Sequence, residues 1–419
     1  MQTKRSNAAG VATRAGCARL AFVLFCAIAL QHAAESAPRI APLPESQWSD
    51  AHRAIVAAGA PQGRATTNLL ATYLHHPAIA LSLPPFDRYV TSESTLPPRH
   101  RMLLGLRTAW LTRSEYLWAH HAAVARGAGM TDAEIERVAR GPDAAGWEPF
   151  EVALLRAADE LNVDAFVSSA TWRTLAALYN NAQLVDLPFT VGAFTLTAGV
   201  ANSVGVEIEA DLRDRFPTGI SHAPTARVTN ERLIGKVPRI APLPREQWSP
   251  EMRALLDPNN TGQPGANVYP VYAQSLTMDL RRRPVGEHIR QDTTLTGRQR
   301  ELLLLRIGVL CRSEYEWAAH HRIGLRSGLT EADIDGIVAG PDRGEGDLVE
   351  NLLLRATDEL HRDAVVSAGT WAALAKVFDT RQMLDIVVAV GGYRMFSMSM
   401  NSYGVQLDAN PTRFPPHLR

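Results

Sequence analysis

Cysteine is scarce in this chain. Three occur in 419 residues, and two of them, Cys17 and Cys26, fall in an N-terminal segment with the marks of a leader, so a mature chain would keep Cys311 alone. A lone thiol excludes an intramolecular disulfide and a two-cysteine redox cycle. Charge of one sign is not in excess either. Lys plus Arg and Asp plus Glu number 43 each, so nothing points to a nucleic-acid partner or an acidic disordered tail. No stretch alternates apolar and polar residues for long enough to be a strand. The early apolar run, residues 20–30, is shorter than the roughly 20 residues a membrane span needs.

What is present begins with that leader. Lys4, Arg5, Arg14 and Arg19 precede the apolar run, and Ala33, Ala34, Ser36 and Ala37 follow it. Basic, apolar and small segments in that order predict a signal peptide over residues 1–36 and an exported chain, periplasmic or secreted, with an uncleaved anchor as the alternative. No stable membrane span is expected in the mature chain.

The remainder is written twice. Pro38-Arg39-Ile40-Ala41-Pro42-Leu43-Pro44 returns as Pro238-Arg239-Ile240-Ala241-Pro242-Leu243-Pro244, Trp48 as Trp248, and Gly141-Pro142-Asp143 as Gly340-Pro341-Asp342. Asn202-Ser203 returns as Asn401-Ser402, and each half closes on an Arg-Phe-Pro, at Arg215 and Arg413. This is a duplicated domain, with a period too long for a solenoid. The expected boundaries are 37–217 for the first domain, 218–236 for a linker rich in Pro, Thr and charge, and 237–419 for the second.

Punctuation within each half is helical. Thr296 with Gln299 and Thr330 with Asp333 have capping-box spacing, Ser313 with Glu316 offers a third such start, and Gly328 a C-cap. Apolar segments over 302–310, 352–360, 370–378 and 383–400 complete the pattern. The fold class is therefore all-α, as two tandem helical bundles.

Chemistry concentrates in Cys311-Arg312-Ser313-Glu314-Tyr315-Glu316-Trp317-Ala318-Ala319-His320-His321. On a helix, Ser313, Glu316 and His320 share a face. The first-half copy runs Arg113-Ser114-Glu115-Tyr116-Leu117-Trp118-Ala119-His120-His121, with leucine in place of Glu316. Each half thus resembles the carboxymuconolactone decarboxylase and alkylhydroperoxidase-D-like family, an all-helical fold that assembles as oligomers. In the peroxidase branch this helix starts Cys-x-x-Cys-x-x-x-His, with a glutamate twelve positions upstream. On that frame Ser313 and Glu316 hold the cysteine places, His320 the histidine and Glu301 the upstream glutamate. The decarboxylase-like Tyr-Glu-Trp-x-x-His string is matched from Tyr315 to His320. Without the paired thiols, a peroxidase is disfavoured; one relying on Cys311 alone would need that thiol exposed and acidic. In the first half Met102, Leu117 and Val204 stand at the places of Glu301, Glu316 and Tyr403, so that half is expected to be degenerate.

The second half is the expected active one. His320 can move a proton either way, Glu316 and Glu301 can orient it or complement it, and their mutual repulsion can raise one pKa. Ser313, Arg312 and Tyr403 are candidate substrate-binding groups. Each has a plainer reading: a Ser313–Glu316 capping box, a core or interface histidine, a first-turn glutamate, solvated cations at Arg312 and Arg113, and a core tyrosine at 403. His321 must point elsewhere, to the surface or an interface. Arg306 and Arg107 fit structural ion pairs with the Asp358-Glu359 and Asp159-Glu160 dipeptides better than a substrate carboxylate. The expectation is an exported acid/base enzyme that decarboxylates or isomerises a small carbonyl or lactone acid. It would use no cofactor and no metal, bind a small-molecule substrate and no nucleic acid, and form a homo-oligomer. The alternative is a non-catalytic binding or assembly protein of the same fold.

Overall fold

A computed structural model of the protein describes residues 37–59, 66–259, 261–262, 264–341 and 347–418; the expected leader lies outside the described residues. Among the described residues every regular element is helical. In the second half, Leu276–Glu287 leads through a π-helical turn, His288–Asp292, into Gly297–Leu310 and Glu314–Arg326. Glu331–Ala339, Leu348–Asp363, Ala368–Leu374 and Thr380–Tyr403 follow. The first half has the same succession, from Pro77–Arg88 through Pro98–Leu111, Glu115–Gly127 and Pro149–Asp164 to Asn181–Val204. The capping boxes at Thr296 with Gln299 and at Thr330 with Asp333 both form.

The two longest helices, Asn181–Val204 and Thr380–Tyr403, pack on each other at the centre. The first is long and apolar enough to cross a membrane, but it is buried within the fold. Two glycines let the backbones meet. A Cβ on Gly192 would lie 2.5 Å from Met395 Cγ and 2.9 Å from its Cα, and one on Gly391 would lie 3.0 Å from Leu196 Cγ. Any side chain there would force the helices apart.

Around this axis the halves exchange equivalent contacts, as the subunits of a two-fold dimer do. Ser402 Oγ accepts from the Val167 amide at 3.1 Å, and Ser203 Oγ from the Val366 amide at 3.0 Å. Asn202 donates to the carbonyls of Thr112 and Ala364, and Asn401 to those of Cys311 and Ala165. Arg39 donates to the Val366 carbonyl and Arg239 to that of Val167. The repeated Asn-Ser and Pro-Arg-Ile strings thus hold a pseudo-dimer together inside one chain.

The Arg-Phe-Pro closers fasten the starts of the key helices. The amides of Phe216 and Phe414 donate to Glu115 and Glu314, and the Trp317 indole donates to the Arg413 carbonyl. The segment 218–236 has no regular structure but is tied down. The Thr225 and Thr229 amides donate to Asp159 and Asp164, and His222 stacks on Trp110 at 3.8 Å.

Candidate active site

Helix Gly297–Leu310 presents Glu301 inward, and helix Glu314–Arg326, antiparallel beside it, presents Glu316 and His320 one turn apart on the same inner face. All three are buried. His320 Nδ1 lies 2.7 Å from Glu301 Oε2, and its Nε2 lies 3.5 Å from Glu316 Oε2. Arg300 Nε donates to the other Glu301 oxygen at 2.9 Å. An ionised carboxylate only accepts, so Nδ1 carries a proton toward Glu301, and Nε2 faces Glu316.

The two carboxyls are driven apart. Burial alone would raise Glu301, but hydrogen bonds and charge from His320 and Arg300 bring it below the usual glutamate value. For Glu316 burial wins: it is pushed up to about 7, with His320, Arg290 and Arg282 pulling the other way and Glu301 adding to the rise. One carboxylate holds the imidazole while the other can carry a proton near neutrality.

The alternative role of Glu316 as a capping residue is not realised. Ser313 occupies the N-cap, yet its side chain accepts no cap hydrogen bond and its buried Oγ has no partner among the described residues. In the first half the equivalent Ser114 does accept from the Leu117 amide. Glu316 reaches across to His320 instead.

Arg312 and Tyr403 are not brought to the cluster. Arg312 adopts a positive φ of 51°, and its guanidinium donates to the Thr229 carbonyl of the segment joining the halves. The Tyr403 hydroxyl donates to the Val185 carbonyl of the opposite half at 2.5 Å, a packing role. His321, expected at the surface or an interface, is buried against Trp317, with Nε2 3.2 Å from Glu331. Arg306 pairs with Asp358 and Arg107 with Asp159, so neither arginine faces a substrate. Cys311 is fully buried and its thiol is pushed up to about 12 by burial, the reverse of what a thiol peroxidase needs.

Residues that spacing could not select complete the surroundings. Tyr393 sets its ring edge-on to His320 at 4.9 Å. Arg282 is buried with its guanidinium 4.3 Å over the Tyr272 ring and near Phe396. Arg290 reaches in over Gly286, where a Cβ would come within 2.8 Å of its Nη1. Both arginines act on Glu316 through charge. The repeats differ at these positions, with Leu83, Thr91 and Phe194 where Arg282, Arg290 and Tyr393 stand, but the contrast does not tell which of three consecutive arginines faces inward.

A second polar cluster sits between the halves. His76, His288 and Asp385 bring three possible metal-ligand atoms within 4.8 Å of one another. Both Asp385 oxygens are already engaged, however, by the two histidines and by the Thr294 amide and hydroxyl. Its counterpart Asp186 is engaged the same way by Tyr89, Thr95 and Ser275, so the trio is one of two equivalent buried hydrogen-bond junctions.

The Glu316 shift makes a stability prediction. A carboxyl whose folded pKa is raised binds its proton more tightly folded than unfolded, so its contribution is present at low pH and is lost as pH rises from about 4.5 to about 7. Glu316→Gln removes this loss, and the variant should gain on wild type over that window by on the order of 3 kcal/mol, at about 1.4 kcal/mol per unit. Urea melts of both proteins between pH 4.5 and 8 test it, and curves that stay parallel count against a buried, neutral Glu316.

An internally duplicated all-α protein, with a carboxylate–imidazole–carboxylate line buried in its second half, is what the geometry defines. The carboxymuconolactone decarboxylase family model matches residues 77–160 and again residues 281–359, consistent with a tandem member. No curated protein and no solved structure matches it.

Proposed function

We propose that the second half is an acid/base active site for decarboxylation or isomerisation of a small carbonyl or lactone acid, with Glu316 as general acid, His320 as base and Glu301 as its positioning partner. The supporting observation is the buried line Glu301–His320–Glu316, in which Glu316 is spared from capping and shifted toward neutrality. Arg290, with Arg282 whose charge is shared with its partner Asp279, supplies positive charge for the acid group of the substrate. In a β-keto acid the electrons of the breaking C–C bond move to the carbonyl oxygen, which Glu316 protonates as carbon dioxide leaves. In an isomerisation, His320 Nε2 takes the α-proton and Glu316 again protonates the oxygen. Neither route changes an oxidation state that would need an external oxidant or reductant, which is why the reading includes no cofactor. The N-terminal leader extends it to an exported enzyme, periplasmic or secreted, and the family resemblance to a homo-oligomer.

The test is a panel of β-keto, enol-lactone and enoic acids followed by carbon dioxide release and by deuterium uptake from solvent. Turnover or exchange that disappears in His320→Gln supports the site. If no acid turns over or exchanges, or if His320→Gln is as active as wild type, the site is not catalytic and the assembly reading replaces it.

A further inference from the structure

The half that lost its carboxylate pair holds a cavity of about 500 Å³ at the equivalent place. Its origin is visible in the comparison of the repeats. In the second half the Phe396 ring lies beside Tyr393 and Arg282. The first half has Thr197, Phe194 and Leu83 at those positions, so a ring and a guanidinium are missing and the space stays open. A volume of this order suits a small organic ligand.

The walls are apolar and aromatic, from Leu69, Leu70, Tyr73, Tyr116, Leu117 and Phe194. Polar groups interrupt them, Tyr73, His121 and Asp87 among them. The Tyr73 hydroxyl is buried with no partner among the described residues, because Val200 stands where Ser399 accepts or donates for the equivalent Tyr272. His121 Nε2 is buried and has no partner among the described residues either, having lost the counterparts of Glu301 and Glu316; burial pushes its pKa down to about 3, so the ring is neutral. Asp87 takes the place of Gly286 and lines the cavity.

Asp87 indicates the ligand. Its one side-chain partner among the described residues is the Thr197 hydroxyl, at 3.1 Å on Oδ1. The cations nearby are committed elsewhere: Arg88 lies 3.0 Å from Glu93, and His120 lies 2.7 Å from Glu209. Burial pushes Asp87 up to about 7, with the Thr197 hydrogen bond opposing the rise. A carboxylate left in an apolar, aromatic-walled space without a counter-ion is relieved by a bound cation.

We propose that the first half is a second, separate binding site, for a small organic cation with an apolar body, whose ammonium pairs with Asp87 while the body lies among Leu117, Phe194 and Tyr73. The site does not depend on the activity assigned to the second half. It gives the repeats complementary preferences, a cation in one and an acid in the other.

The test is calorimetric titration of the full chain with n-alkylamines from butyl to octyl and with 2-phenylethylamine, each beside the alcohol and the carboxylate of the same skeleton. At least one amine should bind more tightly than its matched alcohol and carboxylate. Asp87→Asn should weaken that amine by about 10- to 100-fold and leave the alcohol unchanged. Thr197→Phe, which restores the ring present in the second half, should abolish binding of both. Glu316→Gln should leave amine binding unaltered, which separates this site from the other one. The proposal is overturned if no amine binds, if the carboxylates bind as well, or if Asp87→Asn and Thr197→Phe bind amines like wild type.

Discussion

Asp159→Asn should lower the unfolding free energy by about 3–5 kcal/mol, the range for stripping one partner from a buried ion pair. Arg107 is 1% exposed and Asp159 is completely buried. Their contact is bidentate, Nε to Oδ1 at 2.6 Å and Nη2 to Oδ2 at 2.9 Å. The same guanidinium donates to the carbonyls of Val138 and Ala139, closing the end of helix Asp132–Arg140. Asp159 in turn receives the Thr225 amide and hydroxyl. The substitution would therefore leave a buried guanidinium without its counter-charge and loosen the segment between the halves. The second-half pair, Arg306 with Asp358, has the same bidentate form, but the Asp358 side chain is 24% exposed and water can take over part of its role. Asp358→Asn should accordingly cost about 1–2 kcal/mol. Urea midpoints of the two variants decide the matter, and equal small losses would show that the first-half pair is not the keystone of its bundle.

For any acid that the second half turns over, Glu316→Gln and His320→Gln should each reduce kcat by about 10²- to 10⁴-fold, the usual contribution of a positioned acid or base. The pH profile distinguishes their roles. Glu316 acts in its protonated form, and its value of about 7 makes the wild-type rate fall as pH rises through neutrality. Glutamine keeps the shape but has no proton to lose, so the residual rate of Glu316→Gln should lack that limb. Glu301→Gln should act through His320: it removes the charge that keeps the proton on Nδ1, so the neutral imidazole can reverse its tautomer and kcat falls while KM changes little. Rates that decline together without any change of pH profile would mean the three residues support the fold and not the chemistry.

Much of the site was legible from the chain because duplication supplies its own control. Glu301 and Glu316 stand out as the positions where one copy keeps a carboxylate and the other has Met102 and Leu117. The arginines were not legible in that way. Arg281, Arg282 and Arg283 are consecutive, and a helix turns each about 100° from the last, so sequence cannot say which faces inward. Packing buries Arg282 while Arg283 stays partly exposed, and both pair with Asp279. Ser313 with Glu316 satisfies the capping-box pattern in full, and only a histidine already held by the neighbouring helix explains why the glutamate turns away. Arg312 looked available because nothing in the sequence shows that the Thr229 carbonyl lies beside it.

By itself the sequence determined the duplication, the all-helical class, the capping boxes at Thr296 and Thr330, and which half retains an imidazole with two carboxylates. These rest on local periodicity, on short-range hydrogen-bond patterns and on comparison of aligned positions. Tertiary structure alone decided that Asn202-Ser203 and Asn401-Ser402 bind the opposite half, that Arg282 and Arg290 act on Glu316 through charge, and that the first half opens a cavity around Asp87. Each of those depends on side chains far apart in sequence meeting at a fixed distance, and that distance is set by how two helices cross at Gly192 and Gly391.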